Sequence, residues 1–255
     1  MKYLTWYGTN SIKINNSNKS ILIDPFVRYD KKYDNKYIDN FRSTKHIFIT
    51  HGHIDHTLDL PMLYKNKNVK IYVTNCVYKR LSKLIDSRKL VKVNYNDNYK
   101  IDDFNITILK SKHIKFDIKL GINTLFNKRI IKYFKNFCYL SYNHFKCKEH
   151  NETVAFYITI DNIKILVLGS LNLDNNILYP KNVDYLVLAY QGSSYLEKKV
   201  IPIISRLEPK NIILSHFDDS FPPISKNIDT SKLKNIIDKN INVIIPNHDE
   251  RIDLK

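Results

Sequence analysis

At 255 residues, with 43% hydrophobic and 26% charged side chains, the chain has an ordinary globular balance and is long enough for one large domain. No window offers the ~20 consecutive apolar residues of a membrane span, and the N-terminal MKYLTWYGTNSIKINN lacks the apolar core of a signal peptide, so a cytoplasmic location and no membrane partner are expected. The net charge of +16 invites a nucleic-acid reading, yet Lys, Asn, Ile and Tyr are all specified by AT-rich codons, and nucleotide composition alone accounts for much of the excess.

The first sixty residues read as strands. KYLTWY, SIKIN and SILID are short, β-rich and separated by Gly8 or Asn-Ser clusters, as in a meander. Residues 27 to 43 are polar and read as a surface loop, with at most a turn of helix. HIFIT is an apolar run of strand length that ends at a histidine cluster. Then TLDLPMLYKNK suits a short helix, VKIYVT a strand, and NCVYKRLSKLI a helix with Asn75 as its N-cap. KLVKVN and FNITILKS follow as strands, the second ending just before His113.

TVAFYITI and IKILVLGS form a strand pair turning at Asp161-Asn162. DYLVLAY is a buried strand, SYLEKKVIPIISRL an amphipathic helix and KNIILSHF a strand. DTSKLKNIIDKN is a helix and INVIIP a last strand. No repeat period and no Pro/Gly/Ser-rich linker divides the chain, so a single domain over 1–255 is expected. Both halves share a rhythm of strands followed by strand–helix alternation. That predicts an α/β fold, a four-layered αββα sandwich of two mixed sheets with helices on the outer faces.

Polar residues recur at the C-terminal ends of these strands. They are His51, His53, Asp55 and His56 after IFIT, His113 after ITILKSK, Ser170 after ILVLG, and His216 after IILS. Strand ends along one sheet edge lie close together and are where α/β proteins place their sites. His51 and His53 stand two apart and can point the same way, while Asp55 and His56 point elsewhere, so one loop can serve two neighbouring metals. Imidazole and carboxylate suit zinc, iron or manganese. Cys76, Cys138 and Cys147 are odd in number and widely spaced, which fits reduced thiols rather than a disulfide frame or a zinc–cysteine site.

THGHIDH matches the H-x-H-x-D-H signature of the metallo-β-lactamase superfamily, and the resemblance runs over nearly the whole chain. Its look is nearest to the branch of ascorbate-6-phosphate lactonase-like hydrolases. The resemblance implies that His51, His53 and His113 hold a first metal and that Asp55, His56 and His216 hold a second. It makes Asp55 and His56 catalytic, with Asp55 also orienting a water nucleophile. Asp24, in ILIDPF, would support the ligands without binding metal. Where the family carries a bridging aspartate this chain has Ser170, in LGSLNLD. A hydroxyl supplies neither charge nor a strong bridge between two cations, so one zinc is expected to bind firmly and a second weakly, unless Asp174 or Asp218 substitutes. Iron or manganese would also suit the donors. His46, His144, His150 and His248 read as non-ligands.

Residues 114–151 form an insertion rooted beside His113. From Lys112 to His150 there are nine basic side chains against Asp117 and Glu149, interleaved with Phe116, Phe126, Tyr133, Phe134, Phe137, Tyr139, Tyr142 and Phe145. Leu125, Ile130, Phe134 and Phe137 have helical spacing. The insertion reads either as a solvated helix with one packed face or as a lid that brings positive charge to an anionic substrate. The leading expectation is therefore a metal-dependent hydrolase of an ester, lactone or phosphodiester on a small anionic molecule. A nuclease stands second, because basic grooves with aromatic platforms bind single strands, and a metal-binding protein without turnover stands third.

Overall fold

The computed structural model describes residues 1–27, 36–65, 67–115, 117–148 and 150–255. Residues 28–35 of the expected loop at 27–43, together with Phe116 and Glu149 of the insertion, lie outside the described residues, and 36–42 form a helix of about two turns where at most one was expected.

The chain opens as an antiparallel meander of β1 (Lys2–Trp6), β2 (Ile12–Asn16) and β3 (Lys19–Ile23). Its period-two pattern turns Leu4, Trp6, Ile12, Ile14, Ile21 and Ile23 to one buried face. After α1 (Lys36–Arg42), β4 (His46–Phe48) lies parallel to β3. Next come α2 (Ile54–Thr57), α3 (Leu60–Tyr64), β5 (Lys70–Val73), α4 (Asn75–Leu81) and β6 (Leu90–Lys92), and both strands continue the parallel run.

The second sheet begins with β7 (Asn98–Ile101) and β8 (Phe104–Ser111). The insertion folds as α5 (Ile118–Leu125), α6 (Arg129–Lys132) and α7 (Phe134–Lys146). β9 (Thr153–Ile160) and β10 (Ile163–Leu168) then close an antiparallel run. β11 (Tyr185–Ala189), α8 (Leu196–Leu207), β12 (Asn211–Ser215), α9 (Leu233–Ile236) and β13 (Asn242–Ile244) extend it in parallel. The last strand, β14 (Arg251–Asp253), returns to pair with β1.

Two seven-stranded sheets result, ordered β14-β1-β2-β3-β4-β5-β6 and β13-β12-β11-β10-β9-β8-β7. Their inner faces share one core, in which Trp6, Ile14 and Phe48 meet Phe104, Phe156 and Val167. Val200, Ile203 and Leu207 of α8 cover the outer face of the second sheet. Phe41, Leu63 and Val77, from α1, α3 and α4, cover that of the first. The molecule is thus an αββα sandwich of two mixed sheets. No helix among the described residues is long and apolar enough to cross a membrane.

Some local expectations change. Thr74, in extended conformation, occupies the N-cap of α4, and Asn75 is its first helical residue. The helix expected over 229–240 condenses to α9. In the insertion, Leu125, Ile130 and Phe134 fall in three different helices, so their spacing describes no common face. Tyr133, off helical geometry at φ −113°, separates α6 from α7, and Phe134 is exposed while Leu140 is the buried residue of α7.

Candidate metal centre

Beyond β4 the chain stays extended. The Ile49 amide donates to the Tyr72 carbonyl, and the Thr50 amide donates to Asp24 Oδ1 at 2.8 Å. This brings His51, buried, to the sheet edge. His53 takes the N-cap of α2, and the Thr57 hydroxyl closes the turn by donating to the His53 carbonyl at 2.7 Å. Asp55 and His56 therefore ride on the first turn of a helix. His113 follows β8 by two residues, and the next amide, Ile114, donates to Ser170 Oγ at 3.0 Å. His216 follows β12 directly with φ +61°, a left-handed backbone uncommon outside glycine. Its amide is tied to the Thr9 carbonyl at 2.7 Å.

Two donor groups form at these ends, each with its ligand atoms within 4.8 Å of one another: His51, His53 and His113, and Asp55, His56 and His216. In the first, His51 Nε2 and His53 Nδ1 are 3.2 Å apart. That is near the edge of a tetrahedral shell with metal–nitrogen bonds of about 2.0–2.1 Å. In the second, Asp55 Oδ2 lies 2.7 Å from His216 Nε2 and 3.2 Å from His56 Nε2. The His51 and His56 rings, 4.0 Å apart, join the groups.

The outward nitrogens are already taken. His113 Nδ1 meets the Ile114 carbonyl at 2.7 Å, His216 Nδ1 meets Gln191 Oε1 at 2.6 Å, and His56 Nδ1 meets Asp24 Oδ2 at 2.7 Å. Because a carbonyl or carboxylate oxygen accepts, each of these nitrogens carries the proton and turns the Nε2 lone pair inward. Thr50 Oγ1 lies 3.0 Å from His51 Nδ1 and itself donates to Asp24. The donor set and its tautomers fit a cation at either group.

Without an ion, the electrostatics leave the first group's His51 and His53 neutral and favour a proton on His56 Nε2, which a cation at the second group would displace. Burial, reinforced by the neighbouring rings, keeps His51 well below the usual imidazole range, and burial with His113 brings His53 down to about 3. Burial would raise the Asp55 carboxyl, but His56 and His216 outweigh it and hold Asp55 well below the carboxylate range. Burial also opposes charge on His56, but Asp55 and Asp24 overcome it and raise His56 to about 10.

Asp24 is fully buried and takes hydrogen bonds from Asn10 Nδ2 and from the Thr50 amide and hydroxyl besides meeting His56. Ser170 accepts from the Ile114 amide and so braces the His113 loop. Asp174 pairs with Lys112 at 3.1 Å and Lys110 at 3.4 Å, and Asp218 accepts from the Thr9 amide, Ser220 and His248. Neither carboxylate joins the donors. His46 faces Tyr72, His150 is exposed, and His248 stacks on Trp6. His144, although outside both groups, has its ring 5.8 Å from that of His53. Sequence reasoning did not flag Gln191, Thr50 or Asn10. Gln191 follows a buried strand, so the strand-end argument that found His216 reaches it too.

A family model for the beta-lactamase superfamily domain matches residues 19–122, the stretch holding Asp24, the histidine cluster and His113. Among curated proteins, the Probable RNase MJ4 of Methanocaldococcus jannaschii is 27% identical over 208 residues, covering 77% of this chain and 46% of that protein. A UPF0173 metal-dependent hydrolase of the same organism is 31% identical over 112 residues, covering 43% of this chain and 48% of its own length. The chain thus spans less than half the length of these curated relatives. Among solved structures, the metallo hydrolase Igni18 from Ignicoccus hospitalis KIN4/I superposes with a TM-score of 0.65 at 18% identity, covering 100% of this chain and 99% of that one, a likeness of fold. The stretch that holds the histidine signature thus matches the beta-lactamase superfamily domain, and the fold of the whole chain is that of a metallo hydrolase.

Proposed function

We propose that the chain is a metal-dependent hydrolase that cleaves an ester, lactone or phosphodiester of a small anionic substrate. The observation that carries this reading is the pair of donor groups, with the outward nitrogens of His56, His113 and His216 already bonded to oxygens of the protein. His51, His53 and His113 would hold one ion, and Asp55, His56 and His216 a second. A bound ion supplies a Lewis acid and a water of lowered pKa at neutral pH. Asp55, kept ionised by His56 and His216, would accept a hydrogen bond from the attacking water and orient it. Asp24 and Gln191 would keep His56 and His216 turned toward the reacting atoms. With Ser170 in place of a bridging carboxylate, the first ion would bind firmly and the second weakly. Zinc suits the imidazole-rich set best, with iron or manganese as the other candidates.

The likeness to a protein named as an RNase and the basic, aromatic insertion favour a second reading, cleavage of single-stranded nucleic acid. One assay separates the two. Zinc-loaded protein is offered bis(p-nitrophenyl) phosphate, a p-nitrophenyl ester, a simple lactone and a labelled single-stranded RNA. Turnover of a small substrate that chelator abolishes and Asp55→Asn lowers about 100-fold or more supports the first reading. Cleavage of RNA alone shifts it to the second, and no metal-dependent turnover of any of the four contradicts both.

A further inference from the structure

The face of α7 that packs on the body of the molecule is marked by Leu140 and Cys147, buried with Phe26, Ile54 of α2 and Phe221. His144 stands four residues after Leu140 and three before Cys147, so helix geometry puts it on that same docked face. It is nevertheless exposed. Its ring lies 5.8 Å from His53 of the first donor group, and among the described residues its ring nitrogens make no hydrogen bond. A histidine placed for packing would be buried like its two neighbours on the face.

The position is fixed by the backbone. Arg80 Nη1 donates to the Gly52 carbonyl at 3.2 Å and lies 3.4 Å from the Lys146 carbonyl, so one guanidinium ties the loop between His51 and His53 to the end of α7. Two cations of the insertion are committed elsewhere. Lys146 donates to the Tyr142 hydroxyl and lies over its ring at 4.0 Å, and Arg129 pairs with Asp219.

We propose that His144 is a substrate-binding residue, whose ring donates a hydrogen bond to an anionic oxygen of a substrate held at His51, His53 and His113. The insertion then forms one wall of the substrate site. This rests on the metal-hydrolase reading above.

The test is binding rather than turnover. Zinc-loaded full-length protein, His144→Ala and His144→Gln are titrated calorimetrically with inorganic phosphate, after zinc content and thermal unfolding have been measured for each. Loss of one hydrogen bond to a charged group predicts about tenfold weaker phosphate binding in His144→Ala. The amide of His144→Gln can still donate and should recover most of that loss. Zinc content should be the same in all three. His144→Ala binding phosphate as tightly as the parent, or a parent that holds zinc but binds no phosphate, overturns the assignment while leaving the metal centre standing. A parent that takes up no zinc overturns both.

Discussion

The Thr50 hydroxyl donates to Asp24 and lies 3.0 Å from Nδ1 of His51 and 3.3 Å from Nδ1 of His56, so one small side chain touches both donor groups and their carboxylate support. Asp24 completes the arrangement by holding His56 Nδ1 at 2.7 Å. Asp24→Ala should therefore lower metal affinity about 10- to 100-fold with the six donors intact, as loss of such supporting groups does elsewhere. Titration of the metal-free variant with zinc checks this, and unchanged affinity would show that Asp24 does not orient His56. Ser170→Asp puts a carboxylate where a hydroxyl now meets the Ile114 amide, and zinc binding at the second group should tighten by at least about tenfold. The donors were legible because H-x-H-x-D-H is local and strand-end placement is visible in the hydrophobic pattern. Thr50 and Asn10 were not, because a threonine or an asparagine signals nothing until the fold brings an acceptor to it.

The ends of single elements carry the next level of order. Gly169, directly after β10, packs so closely on Thr50 that an added Cβ would run into its side chain. Gly169→Ala should cost about 1–3 kcal/mol of stability and weaken metal binding as well, because Thr50 moves with it. Denaturant unfolding with parallel metal titration reads both, and a variant as stable as the parent contradicts the packing argument. Ahead of α3, Asp59 accepts the Val27 amide at 2.7 Å, and burial raises its carboxyl to about 6 although that hydrogen bond pulls the other way. A carboxyl raised on folding contributes stability that is complete below its unfolded value and is lost as pH rises through about 6. Asp59→Asn keeps an oxygen for Val27 and has no proton to lose. Its unfolding midpoint should exceed the parent's by more at about pH 7.5 than at about pH 5, and a constant difference would rule out this titration. Strong period-two strands and α8 were legible. β7, with exposed Asn98 and Lys100, and the three-residue β14 lack an apolar run to announce them. In the insertion, helix was legible, but its docked face was not, because Leu140 and Cys147 become anchors only against Phe26, Ile54 and Phe221.

At the scale of the whole molecule, the two sheets meet over one core, and the site is assembled where both send strand ends. Asp24 and His51 come from the first sheet, and His113, Gln191 and His216 from the second. The shared rhythm of the two halves made the sandwich legible, since strands before strand–helix alternation can bury two sheets only face to face. That the insertion is rooted beside the first donor group was legible from His113, but that His144 is the side chain brought near His53 was not, because it depends on tertiary contacts such as that between Arg80 and the Gly52 carbonyl. Whether the six donors form a metal centre is read most directly by elemental analysis of protein purified without chelator or metal-binding tag, beside His113→Ala. About one zinc, iron or manganese ion per chain is expected to be held firmly, approaching two in excess metal, with the firm ion lost in the variant. A chain that stays metal-free after incubation with all three, or a His113→Ala chain that keeps its full complement, would contradict it.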